Sequence, residues 1–131
     1  MAQNPDSDQK PDRPLTETEL EMMNVIWKIG PCSVNQILEV LPPDRALAYT
    51  SVSTIVRILE QKKYVFSEKV GRGHIYAAAL PKEEYQNKSI HYMVRNVFDG
   101  TPASLVRRLL SSDSLSQNDL RDIRNMIDAK D

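Results

Sequence analysis

The sequence predicts a mainly helical protein with one small β-hairpin, and three observations carry that prediction. LTETEL and SVNQ each place a hydroxyl residue three positions before Glu or Gln, the spacing of a helix-opening capping box. Apolar residues then recur at helical spacing along most of the chain. Between residues 64 and 80 the period shortens to about two on either side of GRG, as in a hairpin. The expected order is three helices, a hairpin and three more helices, with no internal repeat.

The first helix opens at Thr16 and Glu19, with Leu15 and Leu20 at the positions of a hydrophobic staple. Leu20, Met23, Ile26, Trp27 and Ile29 line one face, and Gly30-Pro31 stops it. Ser33 and Gln36 open the second helix. Its inner positions are Val34, Ile37, Leu38 and Leu41, and Pro42-Pro43 ends it. The third helix lies in AYTSVSTIVRILEQKKYV, residues Ala48 to Val65. Val52, Ile55, Val56 and Leu59 point inward, while Thr50, Ser53, Thr54, Arg57 and Gln61 face the other way at about 100° per residue. Ser51 and Ile58 lie on a flank. YVFSEKV and HIYAAAL then read as two strands, with Arg72 at the tip between two glycines. Beyond Pro81, Ile90, Met93, Val94, Val97 and Phe98 form a helical stripe closed by Asp99-Gly100. Thr101-Pro102 has the form of a cap with proline at the first helical position. Leu105, Val106, Leu109 and Leu110 follow, then the link SSDSLS. A last helix capped by Ser116 turns Leu120, Ile123 and Ile127 inward.

With 131 residues, the chain holds one or two small domains. Residues 1–14 are rich in proline and charge and poor in apolar side chains, so they read as a disordered tail. Residues 15–81 form the helix-and-hairpin domain, and residues 82–131 a helical one. A secretory leader and a bilayer-spanning run are both missing from the pattern, so the expected place is the cytoplasm, at the nucleoid, with no direct membrane association. Cys32 is the single cysteine, which excludes an internal disulfide and a thiolate cluster. Without a CxxC partner it reads as a small, semi-buried apolar residue rather than a reactive thiol. The net charge of −1 argues against indiscriminate coating of nucleic acid. Residues 44–81 nevertheless carry six Lys/Arg against three Asp/Glu, so the third helix and hairpin hold a local basic excess.

Three helices followed by a hairpin is the order of a winged helix-turn-helix, whose third helix enters the DNA major groove while the wing meets the neighbouring backbone. Short hydroxyl side chains let that helix approach closely, and arginine can bridge the two acceptors on a guanine edge. Tyr49, Thr50, Ser51, Ser53, Thr54 and Arg57 are the candidate base and backbone contacts. Lys62 and Arg72, with Lys63 beside them, are candidate phosphate contacts, each adding to the salt dependence of binding. A polar outer face alone would suit any surface helix. Thr, Ser and Thr are poor helix formers there, however, and ask for another reason. The C-terminal stripes are too short to make a core alone. They can pack on the first domain or on a second copy. Pairing of copies is the expectation, because symmetric DNA sites are read by two-fold dimers. Its candidate residues are Ile90, Met93, Val94, Val97, Phe98, Leu105, Leu109, Leu120, Ile123 and Ile127.

Catalysis has little support. His74 and His91 have no metal-ligand spacing, no nucleophile elbow or phosphate loop is present, and Glu83-Glu84 suit the first turn of a helix dipole. The chain is therefore expected to be no enzyme and to need no metal or cofactor. The rival class is a winged-helix adaptor that binds protein instead of DNA.

LTETELEMMNVIWKIGPCSVNQILEVL, LAYTSVSTIVRILEQKKYV and GRGHIYAAALPKEEY together resemble the penicillinase-repressor family over about residues 15–130, and AYTSVST is the most specific part. The resemblance implies a homodimeric bacterial repressor of transcription that holds a palindromic operator through its winged helix and dimerises through C-terminal helices. It carries recognition positions onto Thr50, Ser51, Ser53, Thr54 and Arg57, and a basic wing position onto Arg72. Three departures stand out. Ile58 replaces a usual arginine, with Arg57 one place earlier, and Lys63 replaces a usual glycine, so the operator is expected to differ. In the antibiotic-resistance branch a membrane sensor triggers proteolysis at an Asn-Phe bond. The matching place here is Arg108-Leu109, which does not carry that route over. The copper-responsive branch ends in a cysteine-rich site, and this chain has no cysteine after Cys32.

Overall fold

A computed structural model of the protein describes residues 14–130; the tail expected over residues 1–14 lies, but for Pro14, outside the described residues. The element order is α1 (Glu17–Ile29), α2 (Val34–Val40), α3 (Tyr49–Gln61), β1 (Val65–Val70), β2 (Gly73–Ala78), α4 (Lys82–Asn96), α5 (Pro102–Ser111) and α6 (Gln117–Ala129). This is the predicted succession, mainly helical with one antiparallel hairpin, and it is that of a winged helix.

The helix starts form where the sequence places them. The Thr16 hydroxyl accepts from the Glu19 N–H while Glu19 accepts from the Thr16 N–H, and Ser33 and Gln36 repeat the exchange. Ser116 does the same with Asp119, whose carboxyl the Ser116 backbone and hydroxyl hold below its ordinary pKa. Gly30, at φ 80°, closes α1 in a conformation that a side chain would resist.

The chain divides into two compact units between Ser89 and Ile90. The core of the first joins α1, α2, α3 and the wing around Met22, Met23, Ile26, Ile37, Val52, Val56, Leu59 and Val65, all essentially inaccessible. α1 packs against α2, α3 and β2 at once. That is why Met22 and Val25, off the predicted stripe, are buried too, while Ile29 is exposed. The sequence puts a boundary at Pro81, yet the first unit runs on into α4 because of Tyr85. Its ring lies 5.6 Å from Trp27 and 6.1 Å from Tyr64, and its hydroxyl accepts from the Leu15 N–H at 3.0 Å. Trp27 in turn donates from Nε1 to the Leu80 carbonyl at 2.9 Å.

The two wing strands pair in register from Val65↔Ala78 to Val70↔Gly73, leaving Gly71-Arg72 as a two-residue turn. Gly71 has φ 61°, the positive angle that such tight hairpins require at their first central residue. The segment before α2 adds a further bridge to the wing. Cys32 and Tyr76 exchange both backbone hydrogen bonds, at 2.9 and 2.7 Å. Cys32 is wholly buried rather than half-buried, and burial pushes its thiol pKa up, away from a reactive thiolate.

The second unit contains the rest of α4 with α5 and α6. Pro102 takes the first turn of α5, though the Thr101 hydroxyl reaches Ser104 rather than a backbone N–H. Neither α5 nor α6 has a buried residue, and Ile90, Met93, Val97, Leu109 and Ile127 are exposed. Leu105, Leu120, Ile123 and Phe98 are partly covered. Val94, also among the candidates for pairing of copies, is buried within the protomer.

Candidate nucleic-acid interface

α3 buries one face in the core and turns a polar face outward. Val52, Val56 and Leu59 fix its inner face to the core, so its hydroxyl-rich face is held outward by packing rather than by chance. Ala48, which has no capping side chain, occupies the N-cap, and Thr50 and Ser51 in the first turn are exposed. Thr54 donates its hydroxyl back to the Thr50 carbonyl at 2.9 Å. That bond orients the threonine while leaving its oxygen free to accept and its methyl free to make apolar contact.

Beside this face, the start of α2, α3 and the wing enclose an open groove of about 400 Å³. Four of the predicted contacts line it together: Tyr49, Ser53 and Arg57 from α3, and Arg72 from the hairpin turn. Thr50, Ser51 and Thr54 are exposed on α3 outside this lining. Among the described residues no carboxylate lines the groove, whereas two guanidinium groups and the His74 imidazole do. Such a surface attracts anions, and phosphate oxygens fit the donors it offers.

The sequence reading missed Asn35, His74 and Tyr76, which share the lining. Asn35 follows the Ser33 cap on the exposed side of α2, a signal in retrospect. Strand alternation could have found the other two. His74 and Tyr76 stand opposite Lys69 and Ser67 and so share one face of the hairpin with them. Burial and the Glu60 carboxylate push the Tyr76 phenol up, while the Arg57 charge acts the other way.

Lys62 was expected to hold a phosphate; in the structure its Nζ lies 2.8 Å from Glu19 Oε2 at the start of α1, so its ammonium has a partner within the fold. Lys63, the next residue, is exposed at the end of α3.

The sequence model of the family described as penicillinase repressor matches residues 15–129. The chain belongs to the penicillinase-repressor family. Similar proteins include the penicillinase repressor of Bacillus licheniformis, 24% identical over 114 residues that cover 87% of this chain and 89% of the relative. The methicillin resistance regulatory protein MecI of Mammaliicoccus sciuri is 24% identical over 116 residues, 88% of this chain and 94% of the relative. An uncharacterized 16.5 kDa protein of Latilactobacillus sakei is 23% identical over 116 residues, 88% of this chain and 80% of its own length. The family is thus one of regulatory proteins named as repressors, and the winged helix described above is its fold in this member. Among the described residues, no helix is long and apolar enough to cross a membrane.

Proposed function

We propose that this member of the penicillinase-repressor family is a sequence-specific DNA-binding repressor that acts as a homodimer on a palindromic operator in the cytoplasm. The observation that carries the reading is the groove between α3 and the wing, which gathers Arg57, Arg72 and His74 and, among the described residues, no carboxylate, beside an exposed hydroxyl face. α3 would lie in the major groove, with Arg57 on a base edge and Thr50, Ser51, Ser53, Thr54 and Tyr49 against bases and backbone. Arg72 and Lys63 would meet phosphates. Residues after Ser89 would pair two copies, since Val97 and Ile127 are 61% and 65% exposed in the protomer and a partner copy would cover them. Repression follows from occupying a promoter, with no chemical step.

The test is selection of duplexes from a random pool by the full chain, followed by titration of two variants. Selection should yield a two-fold symmetric sequence. Arg57→Ala should lose roughly tenfold or more in preference for it over random DNA. Arg72→Ala should weaken both about equally and lower the salt slope by about one. A selection that enriches nothing would favour the adaptor reading and overturn this one.

A further inference from the structure

A long arginine on an exposed helix samples many rotamers, and a bidentate contact to a base requires one plane. The structure supplies a device that selects it. Ser67 and Tyr76 are directly opposite in the hairpin and so project to the same face. The Ser67 hydroxyl donates to Glu60 Oε2 at 2.7 Å, so that face is the one turned to α3. Glu60 follows Arg57 by about one helical turn, and Arg57 and Tyr76 line the same groove. The Tyr76 backbone is fixed from both sides, by Ser67 in β1 and by the paired hydrogen bonds to Cys32. Its side chain is buried while Arg57 is exposed. Glu60, the carboxylate best placed on α3 to capture Arg57, is occupied by Ser67, and among the described residues no carboxylate forms an ion pair with Arg57.

We infer that Tyr76 is a positioning residue for Arg57: its hydroxyl oxygen takes one guanidinium N–H and sets the plane in which the remaining donors meet a base edge. The inference rests on the DNA-reading function proposed above and makes the wing part of base recognition rather than a backbone clamp alone. Specificity at the base pair read by Arg57 is then set jointly by α3 and β2.

The experiment uses the full chain and the duplex selected from a random pool. Binding is measured to that duplex, to single-base-pair variants of it, and to scrambled DNA. Tyr76→Phe removes only the hydroxyl and keeps the buried ring. It should reduce discrimination roughly three- to tenfold at the base pair whose penalty Arg57→Ala also flattens. Other positions, scrambled-DNA affinity and the salt slope should stay at wild-type values. In the Arg57→Ala background, Tyr76→Phe should change nothing further. Equal discrimination by wild type and Tyr76→Phe overturns this inference alone. Uniform weakening on every duplex, or an undiminished effect in the Arg57→Ala background, also overturns it, because a merely structural tyrosine would behave so. Wild-type binding with no sequence preference overturns the DNA reading and this inference with it.

Discussion

The Lys62 ammonium lies 2.8 Å from the Glu19 carboxylate and ties the end of α3 to the start of α1. Glu19 is 5% exposed, the one charged residue buried in the core among those described. One of its oxygens accepts from the Thr16 N–H at 2.9 Å and the other from Lys62, so the capping residue is also an ion-pair partner. A basic residue at the end of α3 therefore serves the fold.

Removing Lys62 should act on stability before it acts on DNA. Lys62→Ala leaves Glu19 buried without its cation, at a cost of about 1–3 kcal/mol in thermal or urea unfolding. Operator affinity, measured well below the melting temperature, should change far less than in Arg57→Ala. A stable Lys62→Ala protein with strongly weakened DNA binding would return Lys62 to the interface.

The same pair sets a pH dependence. Burial alone would raise the Glu19 carboxyl, but the Lys62 hydrogen bond, the Thr16 backbone hydrogen bond and the Lys62 charge outweigh it, and its pKa falls below 4.5. Since the unfolded chain then binds the extra proton first, the stabilisation is complete above the unfolded pKa. It disappears as pH falls through the lower folded value. The stability gap between wild type and Glu19→Gln should therefore shrink as pH is lowered from about 6 to about 3. A gap independent of pH would contradict the assignment.

Lys63 holds φ 69°, a left-handed angle that glycine accepts and lysine resists. It sits where α3 ends in paired bonds, Tyr64 N–H to the Leu59 carbonyl at 2.9 Å and Lys63 N–H to the Glu60 carbonyl at 3.0 Å. Lys63→Gly should stabilise the protein by about 1 kcal/mol, whereas Lys63→Ala, which removes the charge but keeps the strain, should not. Equal effects of the two would assign the change to charge instead.

For the second unit, aspartates at Val97 and Ile127 test the pairing of copies. Both are highly exposed in the protomer, so Val97→Asp with Ile127→Asp should leave helicity unchanged. Sedimentation should shift from dimer to monomer at micromolar protein, and operator affinity should fall. A dimer that survives both changes would place the contact elsewhere.

Local chemistry explains what could be read in advance. The two predicted capping boxes, the inward stripe of α3 and the glycine turn of the wing depend on neighbours within a few residues, and the structure contains them all. What escaped depends on distant partners. Glu19 meets Lys62 across 43 positions, Cys32 pairs with Tyr76 in the wing, and Tyr85 reaches back to Leu15 across 70. No periodicity encodes such meetings. The groove likewise follows from how the hairpin lies on α3, which is why Tyr76 and His74 were absent from the predicted contacts while Arg57 and Arg72 were present.

The most direct measurement is fluorescence anisotropy of the full chain on DNA from upstream of its own gene, beside a scrambled duplex, over a salt series. The account predicts tight binding at two protomers per site, far weaker binding to the scrambled duplex, and affinity that falls steeply as salt rises. Weak binding that is equal on both duplexes and indifferent to salt would contradict it.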